Sequence, residues 1–252
     1  MDVVQAIVLG LIQGLVEWLP LSSQAQVMVA AMLLFGETAE QALRYAVFLH
    51  IGTLLAAVLY FRTELRDLLL RRDNALLRFL VIAVVATAIT GIPSYLLLKQ
   101  IVLVPYLLLF IGLFLIATGV VQWKRKLVKN PSLSGANALF LGLGQGFSVL
   151  PGVSRSGVTT SILLFEGFPP EKAFRLSFLL SIPSVFLAEI GFGLMEPIAF
   201  DAGTLVALAT AFIAGFVSIT ALLAVAKKIN FALFCVGFGL LYIVVALVHA
   251  LG

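Results

Sequence analysis

Long apolar runs alternate with short polar interruptions along this chain, and the run lengths predict two kinds of helix. Residues 3–19 read as an apolar helix, but Glu17 and then Pro20-Leu21-Ser22-Ser23-Gln24 break it before the pattern resumes over 27–35. Crossing a hydrocarbon core takes about 20 helical residues, so neither arm spans alone. The pair predicts a re-entrant hairpin whose polar tip is buried in protein or faces a cavity. Three spans follow over 43–61, 79–98 and 104–123, each bounded by charge or by a Gly/Pro break. The pattern then restarts. Residues 136–150 and 158–166 form a second broken pair, and spans follow over 172–195, 204–226 and 231–250.

The restart is a sequence repeat. Leu9-Gly10-Leu11-Ile12-Gln13-Gly14 recurs as Leu141-Gly142-Leu143-Gly144-Gln145-Gly146, an offset of 132. At an offset of 131, Pro20 matches Pro151, and Glu40-Gln41-Ala42-Leu43-Arg44 matches Glu171-Lys172-Ala173-Phe174-Arg175. Each half holds one hairpin and three spans, an odd number, so the halves insert with opposite orientation. The expected fold is an all-α polytopic membrane protein, a single integral domain with an inverted-topology repeat. Repeat one covers about 1–130 and repeat two about 131–252, and the two hairpins enter from opposite faces to meet near the midplane.

Composition agrees and narrows the choices. With 62% hydrophobic residues, 11% charged residues and a mean hydropathy of +1.16, an ordinary soluble domain is excluded. The net charge of +4 resides in short loops, which is a topology signal and argues against nucleic acid as a partner. Arg62, Arg66, Arg71, Arg72 and Arg78 share one face with Lys124, Arg125, Lys126, Lys129, Lys227 and Lys228. That face is expected to be cytoplasmic, which places both termini outside a plasma membrane. The lone Cys235 excludes an intrachain disulfide, and the first apolar run, which lacks a basic flank and contains Glu17, does not resemble a cleavable leader.

The chemistry concentrates at the two hairpin tips. Arg155 stands among Ser154, Ser156, Thr159 and Thr160, between apolar segments. An intramembrane Arg normally faces a cavity or a partner, and its planar fork suits phosphate. Ser154, Ser156 and Thr159 would add hydroxyl donors, and the new helix start could offer backbone N–H groups. Gln13 and Glu17 lie four apart, on one helical face just before Ser22 and Ser23. A carboxylate, paired hydroxyls and an Arg converging at mid-membrane suit phosphoryl transfer, while a plain Glu17–Arg155 ion pair would account for both charges without catalysis. His50, in the first span, is either a base near this site or a hydrogen bond between helices. Glu189 either lines a wet cavity or pairs with Arg155.

The stretches Gln13-Gly14-Leu15-Val16-Glu17-Trp18-Leu19-Pro20-Leu21-Ser22-Ser23 and Pro151-Gly152-Val153-Ser154-Arg155-Ser156-Gly157-Val158-Thr159 resemble the two signature motifs of the undecaprenyl-diphosphatase, or bacitracin-resistance, family. The likeness covers nearly the whole chain. It implies an integral membrane phosphatase that removes the terminal phosphate of a C55 isoprenyl diphosphate, regenerating the lipid carrier for cell-wall glycans. It also implies a divalent metal, Mg²⁺ with Ca²⁺ as the alternative. By the resemblance, Glu17 falls on the acidic position and metal ligand, Gln13 on a Glu/Gln position, Ser23 on the hydroxyl position and Arg155 on the phosphate-binding Arg. Ser22, Ser154, Ser156, Thr159, Gln13 and Gln26 are expected to add phosphate contacts. Gln26 stands where family members commonly carry a histidine, and glutamine cannot shuttle a proton. Glu17 as base, a metal-bound water or an altered substrate therefore remain open. The rival to hydrolysis is transport of an isoprenyl phosphate through the same inverted-repeat site, and a third reading is a silent lipid binder.

Overall fold

The computed structural model describes residues 1–98, 107–123, 131–150, 152–195, 201–225 and 230–251, and everything regular among them is helical. The first hairpin is α1 (Val3–Val16) and α2 (Ser23–Phe35), followed by α3 (Ala39–Tyr60), the short α4 (Arg62–Leu69), α5 (Asn74–Leu98) and α6 (Leu107–Trp123). The second is α7 (Gly135–Gly146), which ends in a 3₁₀ turn at Phe147–Val149, and α8 (Arg155–Phe165). After it come α9 (Pro170–Met195), α10 (Ala202–Val225) and α11 (Phe231–Leu251). Helices α3, α5, α9 and α10 are each long and apolar enough to cross a bilayer. Val81, Ile89, Leu205 and Ile213 lie exposed on the outer faces of α5 and α10, where lipid would cover them. The protein is a multi-pass membrane protein.

Local sequence sets the helix ends. The Asp2 side chain accepts the Gln5 N–H at 2.8 Å, and Thr38 and Gln41 form a reciprocal capping box at the start of α3. Gly36, at φ +67, closes α2 in the left-handed conformation that glycine adopts most readily. The 62–78 segment, read as a loop, carries α4 instead. Arg62 and Arg66 turn outward while Leu65 and Leu68 pack toward the core, so the helical period is present beneath the charge. The break at Pro151, Lys99, Glu196, the 124–129 loop and the Lys227–Lys228 link lie outside the described residues.

The two hairpins exchange partners. Helix α1 packs on α10, and α7 packs on α5, so each hairpin's first helix leans on a span of the other half. Both contacts are close because glycines line them. A Cβ on Gly14 would stand 2.5 Å from that of Ala214, and one on Gly142 would collide with the Ala83 carbonyl. Gly112 and Gly239 bring α6 and α11 together in the same way. Membrane helices associate through such small-residue faces because lipid leaves no hydrophobic driving force between them.

Candidate functional site

The hairpin breaks bring both tips together. Ser156 Oγ donates to the Leu19 carbonyl at 2.7 Å, and the Gly152 N–H donates to Ser22 Oγ at 3.3 Å. Ser154 caps α8 by accepting the Gly157 N–H at 3.1 Å, while Thr159 Oγ1 donates to the Arg155 carbonyl at 2.8 Å and lies 2.5 Å from Ser177 Oγ. The hydroxyls read as free phosphate donors are thus engaged with protein. A broken helix leaves carbonyls and N–H groups orphaned, and buried hydroxyls are the nearest groups able to satisfy them.

Glu17 is the centre of the junction. Its side chain is 4% exposed and pairs through Oε1 with Nη2 of Arg155, joining the two halves. Its Oε2 accepts Ser23 Oγ–H at 2.5 Å and Gln13 Nε2–H at 2.8 Å. His50 Nε2 lies 3.5 Å from the same oxygen. The Val47 carbonyl, 3.1 Å from His50 Nδ1, can only accept, so Nδ1 carries a proton and Nε2 faces the carboxylate. Trp18 buttresses the pair: its indole N–H donates to the Gly215 carbonyl at 2.9 Å, and the Arg155 guanidinium lies 6.0 Å from its ring centre.

Among the described residues, two buried atoms in this cluster have no hydrogen-bond partner: Arg155 Nη1, a donor, and Gln13 Oε1, an acceptor. The helix start at Ser23 also lacks a side-chain cap. Ser22 adopts φ +58 and ψ +80 without a side-chain cap on α2, so the N–H groups of the first turn have no capping oxygen beside Ser23. The arrangement therefore offers a hydroxyl hydrogen-bonded to a carboxylate, an unspent guanidinium nitrogen and the positive end of a helix.

Of the residues singled out from the sequence, Gln13, Glu17, Ser23, His50 and Arg155 are brought together, Ser22, Ser154 and Ser156 knit the tips around them, and Thr159 ties α8 to α9 through Ser177. Gln26 turns away, donating to the Leu21 carbonyl at 3.0 Å and accepting from Tyr242. Glu189 lies partly exposed on α9, and the carboxylate that pairs with Arg155 is Glu17. Sequence reasoning passed over Thr53, whose Oγ1 lies 3.3 Å from Gln13 Nε2, although its place three residues after His50 puts both on one face of α3. Tyr242 and Ser177 carried no comparable signal.

Fold and site together define a polytopic membrane protein whose ion-paired polar centre is built jointly by two broken-helix hairpins. Residues 6–243 match the family model described as bacitracin resistance protein BacA, and the chain belongs to that family. It is 40% identical to an undecaprenyl-diphosphatase of Methanococcoides burtonii, over 94% of this chain and 96% of that protein. A protein of the same name from Haloarcula marismortui is 38% identical over 98% of both chains, and one from Methanothrix thermoacetophila 37% identical over 96% of both.

Proposed function

We propose that this protein hydrolyses undecaprenyl diphosphate to the monophosphate and inorganic phosphate, and that the tip junction is its active site. The observation that carries the site is Ser23 Oγ–H held at 2.5 Å against Glu17, beside an Arg155 nitrogen with no partner. Ser23 is the nucleophile. Glu17 takes its proton as Oγ attacks the terminal phosphorus, and the bond from phosphorus to the bridging oxygen breaks, releasing the lipid monophosphate with that electron pair. Arg155 Nη1 and the first-turn N–H groups of α2 hold the phosphoryl oxygens as their charge shifts. His50 Nε2 relays the proton from Glu17, a role that Gln26 cannot fill. Water then hydrolyses the phosphoserine.

A divalent cation fits this donor set. Gln13 Oε1 is a buried acceptor without a partner, next to a carboxylate. Among the described residues no three His, Cys, Asp or Glu side chains gather to hold a metal, so Gln13 and Glu17 would share a Mg²⁺, or a Ca²⁺, with substrate oxygens. When bound, the ion would neutralise charge on those oxygens.

Purified protein in detergent is expected to release phosphate from an isoprenyl diphosphate. No release, together with movement of an isoprenyl phosphate between vesicle leaflets, would replace the phosphatase with a transporter. We further infer a plasma membrane location with both termini outside. In a Cys235→Ala background, an impermeant thiol reagent added outside cells is expected to label Glu40→Cys and to miss Arg71→Cys; the reverse pattern inverts the topology.

A further inference from the structure

We propose that Tyr242 is a positioning residue for Ser23, acting through Gln26; this rests on the phosphatase reading above. Tyr242, on α11, donates its hydroxyl to Gln26 Oε1, and Gln26 Nε2 donates to the Leu21 carbonyl at 3.0 Å. Both ends of the Gln26 amide are occupied, so the side chain is a bridge from α11 to the backbone immediately before Ser22. It does not reach Glu17. Leu21 is anchored at the same place, buried with Ala25 and Leu115 while Val16, Phe234 and Tyr242 pack around them.

The bridge stands next to an unusual backbone. Ser22 has a positive φ of 58°, uncommon for any residue but glycine, and such conformations persist where surrounding contacts hold them. Its own side chain does not cap α2, whose first helical hydrogen bond runs from the Gln26 N–H to the Ser22 carbonyl at 3.1 Å. Gln26 holds the tip through its side-chain amide: the Leu21 carbonyl can only accept and so takes the NH₂, which turns the amide oxygen to the Tyr242 hydroxyl and ties the tip to α11. The consequence is the placement of Ser23 Oγ, one residue further on. A neutral imidazole also presents one acceptor nitrogen and one N–H, so a histidine at position 26 can form the same bridge.

Tyr242→Phe and Gln26→Ala are each expected to lower kcat on the order of 10- to 100-fold with KM and melting temperature near wild type, since small displacements of a reacting group are that costly. The double variant should lose no more than the worse single one, and Gln26→His should retain turnover. Hydrogen exchange of the 19–26 segment should rise in both single variants. Unchanged exchange, unchanged kcat or losses that multiply would each overturn the bridge. A wild-type protein that releases no phosphate would instead remove the phosphatase reading, and exchange would still decide whether Tyr242 holds the tip.

Discussion

Arg155→Ala is expected to lower turnover several-hundred-fold and to lower the melting temperature as well. The two effects have different origins. Loss of turnover follows from removing a fixed donor aimed at developing phosphoryl charge, which costs on the order of 3–4 kcal/mol in comparable anion-stabilising sites. Loss of stability follows from Glu17, whose side chain is 4% exposed and would be left buried without its cationic partner. Removing one member of a buried ion pair costs about 3–5 kcal/mol, a figure that Ser23, Gln13 and His50 would reduce here by remaining around the carboxylate. Arg155→Lys separates the two: an ammonium can still pair with Glu17 but lacks the second planar nitrogen, so it should melt near wild type while losing most turnover. Glu17→Gln combined with Arg155→Met should regain stability without activity. Turnover near wild type in Arg155→Ala, with an early melt, would make Arg155 a structural pin between the halves.

The second large effect is expected at Ser23. Ser23→Ala should lower turnover on the order of a thousandfold or more, as removal of a nucleophile does in a preorganised site. The change is small in volume and deletes one charge-assisted hydrogen bond, so stability should fall by only about 1.5–3 kcal/mol. With substrate labelled in its terminal phosphate, acid quenching of wild type should trap a phosphoserine that Ser23→Ala cannot form. Turnover retained without a trapped phosphoenzyme would transfer the attack to water and leave Ser23 as an orienting partner of Glu17.

Much of this arrangement was readable beforehand because its signals are local. The two tips announce themselves as polar breaks in apolar runs too short to span, and Gln13 and Glu17 share a face by spacing alone. The ion pair between Glu17 and Arg155 was foreseeable as well, since two buried opposite charges stabilise one another at the point where the hairpins meet. His50 was not decidable, because a span's hydropathy does not reveal which side faces the interior. Position 3.5 Å from Glu17 needs the packing of α3. Ser154, Ser156 and Thr159 were read as ligand donors because their types suit phosphate. Which hydroxyls satisfy the protein's own broken helices depends on distances between segments more than 130 residues apart, as for Ser154 and Ser156 at the Leu19 carbonyl. Tyr242, 216 residues from Gln26, lies beyond any local pattern.

The exchange of partners between the halves also sets a timetable for making the protein. The Trp18 indole donates to Gly215, 197 residues later in the chain. At about 5–20 residues per second, the ribosome delivers that acceptor roughly 10–40 s after the donor. During that interval the glycine face of α1 has no α10 to meet, and Glu17 has no Arg155. The first hairpin therefore waits in the membrane, or at its edge, with its polar tip uncovered. By contrast, α7 emerges after α5 and can dock at once. Insertion is thus unequal between the two hairpins: the early one depends on whatever shelters it until α10 has been made.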